Sequence, residues 1–352
     1  MDALDRGFHE ARGANFRARY GRERLTAYGP FDQEYEALER SAVLLDLSDH
    51  TRVTLSGEDR GRFLNGLVTQ RVDDLLPGTG AHACFLDRRS HILAEVRVFA
   101  TEDSLLLEGE PGLGSFLVER LLKYRLSSRV AVSDWTEGSS LLSVQGPLAG
   151  ETVGAVLGTD GAGLSPCGHT TASFGGAPVR ILRVPRTGRP GLDLLCPRTH
   201  AGDLWRALAA AGALPAGWDL LETARTEAGL PRFGADLTEE TLFPEARLPG
   251  HVSWDKGCYL GQEIVARVRT YGSLKRVRTG LLVDGPVEPG DTVRVKGRDA
   301  APLTSARFSP LVGKTCAFAY LHPALGAEED ARILVAGPAG EYPATVAAFP
   351  FI

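Results

Sequence analysis

Lys256-Gly257-Cys258-Tyr259-Leu260-Gly261-Gln262-Glu263, continuing through Ile264, Val265 and Ala266 to Arg267, is the stretch whose reading decides what this chain is. It holds an ammonium, a thiol, a phenol, an amide, a carboxylate and a guanidinium, interrupted twice by glycine. Glycine accepts backbone angles closed to other residues, so bends at Gly257 and Gly261 would aim Lys256, Cys258 and Gln262 at one place. Each residue also has a plain structural reading. A free cysteine is commonly a small buried hydrophobe, Lys256 alone reads as a solvated surface charge, and Gln262 and Glu263 suit the first turn of a helix. A cation beside Cys258 would favour its thiolate, the form that attacks electrophiles, disulfides and metals.

Lys-Gly-Cys-Tyr-x-Gly-Gln-Glu resembles the signature of the YgfZ family, folate-dependent proteins related to the aminomethyltransferase of the glycine cleavage system, and all seven fixed positions match. Seven fixed identities in eight, a cysteine and a tyrosine among them, are far more specific than a lone glycine motif. The likeness extends upstream. Gly57-Glu58-Asp59, Phe63-Leu64 and Thr69-Gln70 look like the Gly-x-Asp, Phe-Leu and Thr-Asn/Gln-Asp pattern shared with the aminomethyltransferases, with Arg71 where the last Asp would fall. Those transferases carry an acidic pair on the second strand of the following hairpin. Ala94 and Glu95 stand there in this chain, so one longer carboxylate remains. Arg225-Thr226-Glu227-Ala228-Gly229 matches the Arg-x-Glu-x-Gly motif, whose glutamate, by the resemblance, holds a pterin ring. A carboxylate can accept a pair of N–H bonds from such a ring as it does from a guanidinium.

The whole chain sets bounds on these readings. Its 352 residues, 43% hydrophobic and 24% charged, suffice for two or three cores. Forty-one glycines and 21 prolines imply many turns and favour a mixed α and β protein over a helical bundle. A net charge of -5 leaves room only for a local nucleic-acid contact. Met1 to Arg12 has no continuous apolar run of the secretory kind and no later stretch has the length of a membrane helix, so a cytoplasmic protein with no membrane partner is expected. Cys84, Cys167, Cys196, Cys258 and Cys316 are odd in number and widely spaced, which fits neither a disulfide framework nor a paired-cysteine zinc site. No phosphate-loop, dinucleotide or paired-histidine zinc motif occurs.

Periodicity predicts helices over Phe31–Leu45 with Asp32 as cap, Asp59–Leu67, Leu113–Tyr124, His200–Ala211 and Trp218–Gly229. Strands are predicted at Arg52–Leu55, Ala81–Leu86, His91–Ala100, Ser104–Glu108, Leu141–Val144, Val179–Val184 and Gly191–Cys196. Short strands at Leu281–Val283, Thr292–Lys296 and Thr315–Tyr320 read as a small β-barrel. Arg267, Arg269, Lys275, Arg276 and Arg278 form a basic run that reads either as a solvated hairpin turning at Tyr271-Gly272-Ser273 or as an anion site. The fold class is therefore α+β, and the resemblance implies two ferredoxin-like α+β units, residues 1–134 and 135–271, with a barrel at 272–352 around a central folate channel.

By the same resemblance the expected cofactor is tetrahydrofolate or a polyglutamylated folate, and the expected role is support of iron-sulfur cluster assembly or repair in client enzymes, including tRNA-modifying ones. Cys258 and Lys256 are the candidate reactive residues. Glu227, Glu95, Tyr259, Gln262 and Arg267 are the candidate cofactor-binding ones. The client iron-sulfur proteins are the expected partners, with a tRNA contact through Arg267–Arg278 as a further expectation. A folate-dependent aminomethyltransferase or demethylase and an RNA-binding module are the alternatives.

Overall fold

Tyr35 and Leu38 lie on the covered side of the helix Phe31–Arg40 and both are buried, as the helical spacing predicts. The helix does not run on to Leu45, because Val43–Asp46 is a strand. Val43, Leu44 and Leu45 are each at most 2% exposed. Successive apolar residues buried on both faces belong to an interior strand, whereas a helix buries a stripe. Asp32 is not the cap either; it sits in the first turn behind Pro30, which makes no side-chain capping bond.

The computed structural model describes residues 4–19, 22–161, 163–272, 274–326 and 333–352. Their contacts divide the chain into two units, Met1–Gly66 with Gln70–Ala83 and Glu95–Leu221, and Leu67–Thr69 with Cys84–Ala94 and Glu222–Ile352. In the first, a six-stranded sheet runs in the order His169–Phe174, Ala177–Arg183, Gly191–Pro197, Ser139–Gln145, Val43–Asp46, Leu214–Pro215. Only the last pair is parallel, with Leu214 opposite Val43. Helices Ala149–Leu157 and Ala201–Ala210 cover this sheet, burying Val153, Trp205 and Leu208 with Leu142, Ile181 and Leu194. Each such side chain contributes about 1.5–3 kcal/mol by leaving water.

A second sheet has the order Gly80–Leu86, Ile92–Ala100, Ser104–Gly109, Thr51–Ser56, Ala131–Asp134. It carries the hairpin and third strand that the sequence predicts. No helix among the described residues is long and apolar enough to cross a membrane.

The second unit contains a closed barrel in the order Val277–Val283, Lys314–Leu321, Arg298–Ser309, Thr292–Val295, Ile333–Gly337, Gly340–Ala347. Closure is made by Gly280 opposite Ala347, and closure removes the open edges that would otherwise invite pairing. Leu281, Val283, Val293, Ala317, Ala319 and Val335 fill the interior with no exposure. The three predicted barrel strands are present. Arg298–Ser309 escaped prediction because Ala300, Ala301 and Pro302 carry little strand preference, and its ladder slips between Leu303 and Ser305.

Candidate functional site

Lys256, Tyr259 and Gln262 come together in the second unit. The Lys256 ammonium donates to the Val68 carbonyl at 2.7 Å and lies 5.1 Å from the centre of the Tyr259 ring. Lys256 is only 8% exposed, so the carbonyl and the ring's negative face offset the cost of taking a charge out of water. This corrects the reading of Lys256 as a solvated charge. Thr69 fixes the same backbone: its N–H donates to Cys84 O, its hydroxyl accepts from Cys84 N, and its carbonyl accepts from Ser253 N. The threonine of the Thr69-Gln70 pair is thus a staple between segments.

The Tyr259 ring packs with Cys84, Leu86, Ile92, Phe243 and Val265, and burial pushes its phenol up to about 12, which keeps it neutral. Its backbone N–H donates to Gln262 Oε1 at 3.3 Å, while Gln262 N donates back to Tyr259 O at 3.2 Å. Gln262–Tyr271 is an α-helix closed by the left-handed Gly272. Arg267 and Arg269 of the basic run are therefore helical where the hairpin reading implies a strand, whereas Arg278 lies on the strand Val277–Val283, and Ser273 of the proposed turn lies outside the described residues.

The two glycines of the signature differ. Gly261 has φ +89°, and a Cβ there would stand 2.6 Å from Asp87 O and 3.0 Å from Leu86 Cβ. Its carbonyl accepts the Ser90 hydroxyl of the hairpin turn. Gly257 has no positive φ, and a Cβ there meets nothing within 4 Å, so the first bend does not require glycine. Gly261→Ala is accordingly expected to destabilise the second unit by roughly 2 kcal/mol or more through left-handed strain and the backbone clash. Gly257→Ala is expected to stay within about 0.5 kcal/mol. Chemical denaturation of the two variants side by side checks this, and equal losses would contradict it.

Cys258 is exposed, and the other four cysteines are buried. Beside it in sequence, Ser253, Trp254, Tyr259, Gln262, Arg269 and Thr270 line an open cleft of about 390 Å³. The Arg269 guanidinium lies 4.3 Å from the centre of the Trp254 ring. Arg267 is exposed on the same helix. Arg278 instead turns inward and donates to the carbonyls of Ala246 and Gly229, while Arg276 pairs with Glu245 at 3.0 Å. The anion-site reading of the basic run thus loses these two cations and keeps Arg267, Arg269 and Lys275 on the surface.

Glu227 ends the helix Trp218–Glu227 and is fully buried. Its backbone carbonyl accepts Phe351 N at 2.8 Å, and its charge adds to the burial that pushes the Cys316 thiol up to about 12. Glu95 lies in the first unit, 8% exposed, with His82 Nδ1 at 3.2 Å from its Oε1.

Sequence reasoning missed a cluster in the first unit. Glu108 takes His50 Nδ1 at 2.7 Å, Arg97 at 2.8 Å and Arg186 at 2.9 Å, and Arg186 also reaches Asp193 at 2.7 Å. Burial raises the Glu108 carboxyl, but the Arg186 and Arg97 guanidiniums hold it well below its ordinary range. Asp193 is fully buried and its Oδ1 has no hydrogen-bond partner among the described residues. The signal was present in the acid set within the apolar run Leu192-Asp193-Leu194-Leu195, since a buried polar residue is the informative one.

A two-sheet α+β body, a closed six-stranded barrel and a polar loop built on Lys256 define the class to which the fold and site belong. Residues 6–256 match the GCVT N-terminal domain and residues 276–352 the glycine cleavage T-protein C-terminal barrel domain, and the chain belongs to this family. It is 29% identical to the aminomethyltransferase of Synechococcus elongatus over 96% of this chain and 92% of that one. It is 30% identical to the chloroplastic Arabidopsis thaliana protein At1g60990 over 78% of this chain, spanning 64% of that protein's length. The crystal structure of the glycine cleavage system aminomethyltransferase T from Bartonella henselae superposes with a TM-score of 0.89 at 22% identity, covering 98% of this chain and 96% of that one.

Proposed function

We propose that this chain is a cytoplasmic, tetrahydrofolate-binding protein of the YgfZ kind that supports iron-sulfur cluster assembly or repair in client enzymes, tRNA-modifying ones included. The observation that carries the reading is the exposed Cys258 within Lys-Gly-Cys-Tyr-Leu-Gly-Gln-Glu, against four buried cysteines elsewhere. A thiol meant only for packing is placed inside, whereas one that meets another protein must reach solvent. Membership of the aminomethyltransferase-containing family supports folate as the ligand. Glu227, the buried glutamate of the Arg-x-Glu-x-Gly motif, is the kind of carboxylate that accepts a pair of N–H bonds from a pterin-like ring.

A folate-dependent aminomethyltransferase is the second reading, favoured by the name of a relative aligned along 96% of the chain. Against it stands Ala94, a fully buried methyl at the first position of the acidic pair, which can neither accept nor donate a proton. In a strain lacking the gene, Cys258→Ser is expected to leave folate binding intact while iron-sulfur enzyme activity stays below about a tenth of that restored by the wild-type chain, as for other lost nucleophiles. Full restoration by the serine variant would remove the thiol from the function and favour the transferase.

A further inference from the structure

We infer that the cleft between the Ser253–Trp254 segment and the helix Gln262–Tyr271 is a binding site for a planar aryl group carrying a carboxylate. Its volume of about 390 Å³ falls within the range of small-molecule sites, and its lining divides into two kinds of surface. Trp254 is 48% exposed and offers an indole to stack on. Arg269 covers part of that indole and has no carboxylate partner among the described residues. A guanidinium held over an aromatic ring keeps its N–H fork directed and unspent, which matches a carboxylate better than a flexible ammonium does. Gln262, Ser253 and Thr270 add an amide and two hydroxyls at the wall, and no lining residue is acidic. An anion entering the cleft therefore meets donors and a cation without a competing charge, and a planar group beside it meets the ring.

Two sources share this chemistry, the aminobenzoyl-glutamate end of a folate and an independent aryl carboxylate. The first source rests on the folate reading above; the second does not.

The test uses N-(4-aminobenzoyl)-glutamate, with 4-aminobenzamide as the uncharged control, titrated into the full chain by calorimetry or by quenching of Trp254 fluorescence. The acidic fragment is expected to bind with a dissociation constant on the order of 0.1 mM. Arg269→Gln is expected to weaken it about three- to ten-fold, less than a buried pair because the guanidinium is solvent-exposed, and to leave the amide unchanged. Trp254→Ala is expected to weaken both fragments. Both substitutions are at the surface, so the variants remain folded. Absence of binding by the acidic fragment, or equal binding to wild type and Arg269→Gln, overturns the proposal. Tetrahydrofolate distinguishes the sources: a parallel loss in Arg269→Gln assigns the cleft to a folate tail, and an unchanged affinity assigns it to a separate aryl carboxylate. If wild type binds the fragment and not tetrahydrofolate, the folate reading fails while the cleft site stands.

Discussion

In the folded protein, iodoacetamide is expected to modify Cys258 at least a hundred-fold faster than Cys84, Cys167, Cys196 or Cys316. Two effects act in the same direction. The reagent must approach the sulfur in line, and only Cys258 is open to solvent. The attacking species is the thiolate, and burial pushes the Cys167 thiol up to about 11 and those of Cys196 and Cys316 up to about 12. At pH 8 a thiol with a pKa near 12 is ionised to roughly one part in ten thousand. Peptide mapping under native conditions ranks all five sites. Lys256 is not expected to set the rate directly, because its ammonium is held by the Val68 carbonyl and the Tyr259 ring. A slow Cys258, ranked with the buried four, would make it a packing residue and take the thiol out of the proposed function.

Arg225→Met is expected to destabilise the second unit by about 3–5 kcal/mol, because it removes the guanidinium that the buried carboxylates of Glu222 and Asp236 share, leaving Arg232 to hold Glu222. Arg225 donates to Glu222 at 2.6 and 2.7 Å, to Asp236 at 2.9 Å and to the Ser305 hydroxyl at 2.9 Å. These bonds tie the end of the helix that carries Glu227 to the barrel strand Arg298–Ser309. Burial alone raises the Glu222 carboxyl, but Arg225 and Arg232 outweigh it and bring it down to about 2. A carboxyl depressed in the folded state stabilises above its unfolded value, about 4.3, and loses that contribution as pH falls through about 2. Without Arg225 the burial effect is offset less fully, by Arg232, so acid unfolding should begin at higher pH than in the wild type. Denaturant curves at pH 7 and pH 4 measure both effects, and a loss under 1 kcal/mol would show the cluster to be dispensable.

The parts of the fold legible in the sequence are those where one face is wet. Gly114–Tyr124 and Ala201–Ala210 bury a stripe, and their periodicity shows in the residues. Val43–Asp46 has no wet face, so its apolar run merged with the helix before it. The signature was readable as a functional loop because its residue types are too mixed for a core segment, yet the inward turn of Lys256 was not. That turn depends on Val68, a contact 188 residues away in the chain. Asp193 was hidden for a related reason: its partner Arg186 also holds Glu108, 78 residues away in the chain, and no local pattern announces that cluster.

The central claim, that this chain binds tetrahydrofolate, is tested most directly by anaerobic calorimetric titration of the wild-type protein and Glu227→Gln. Saturable one-to-one binding is expected, and the glutamine variant should bind about ten- to a hundred-fold more weakly, since an N–H would then face the ring N–H that the carboxylate is proposed to accept. No binding by the wild-type chain at millimolar tetrahydrofolate would contradict the claim, and equal affinity in a folded Glu227→Gln would take Glu227 out of the site.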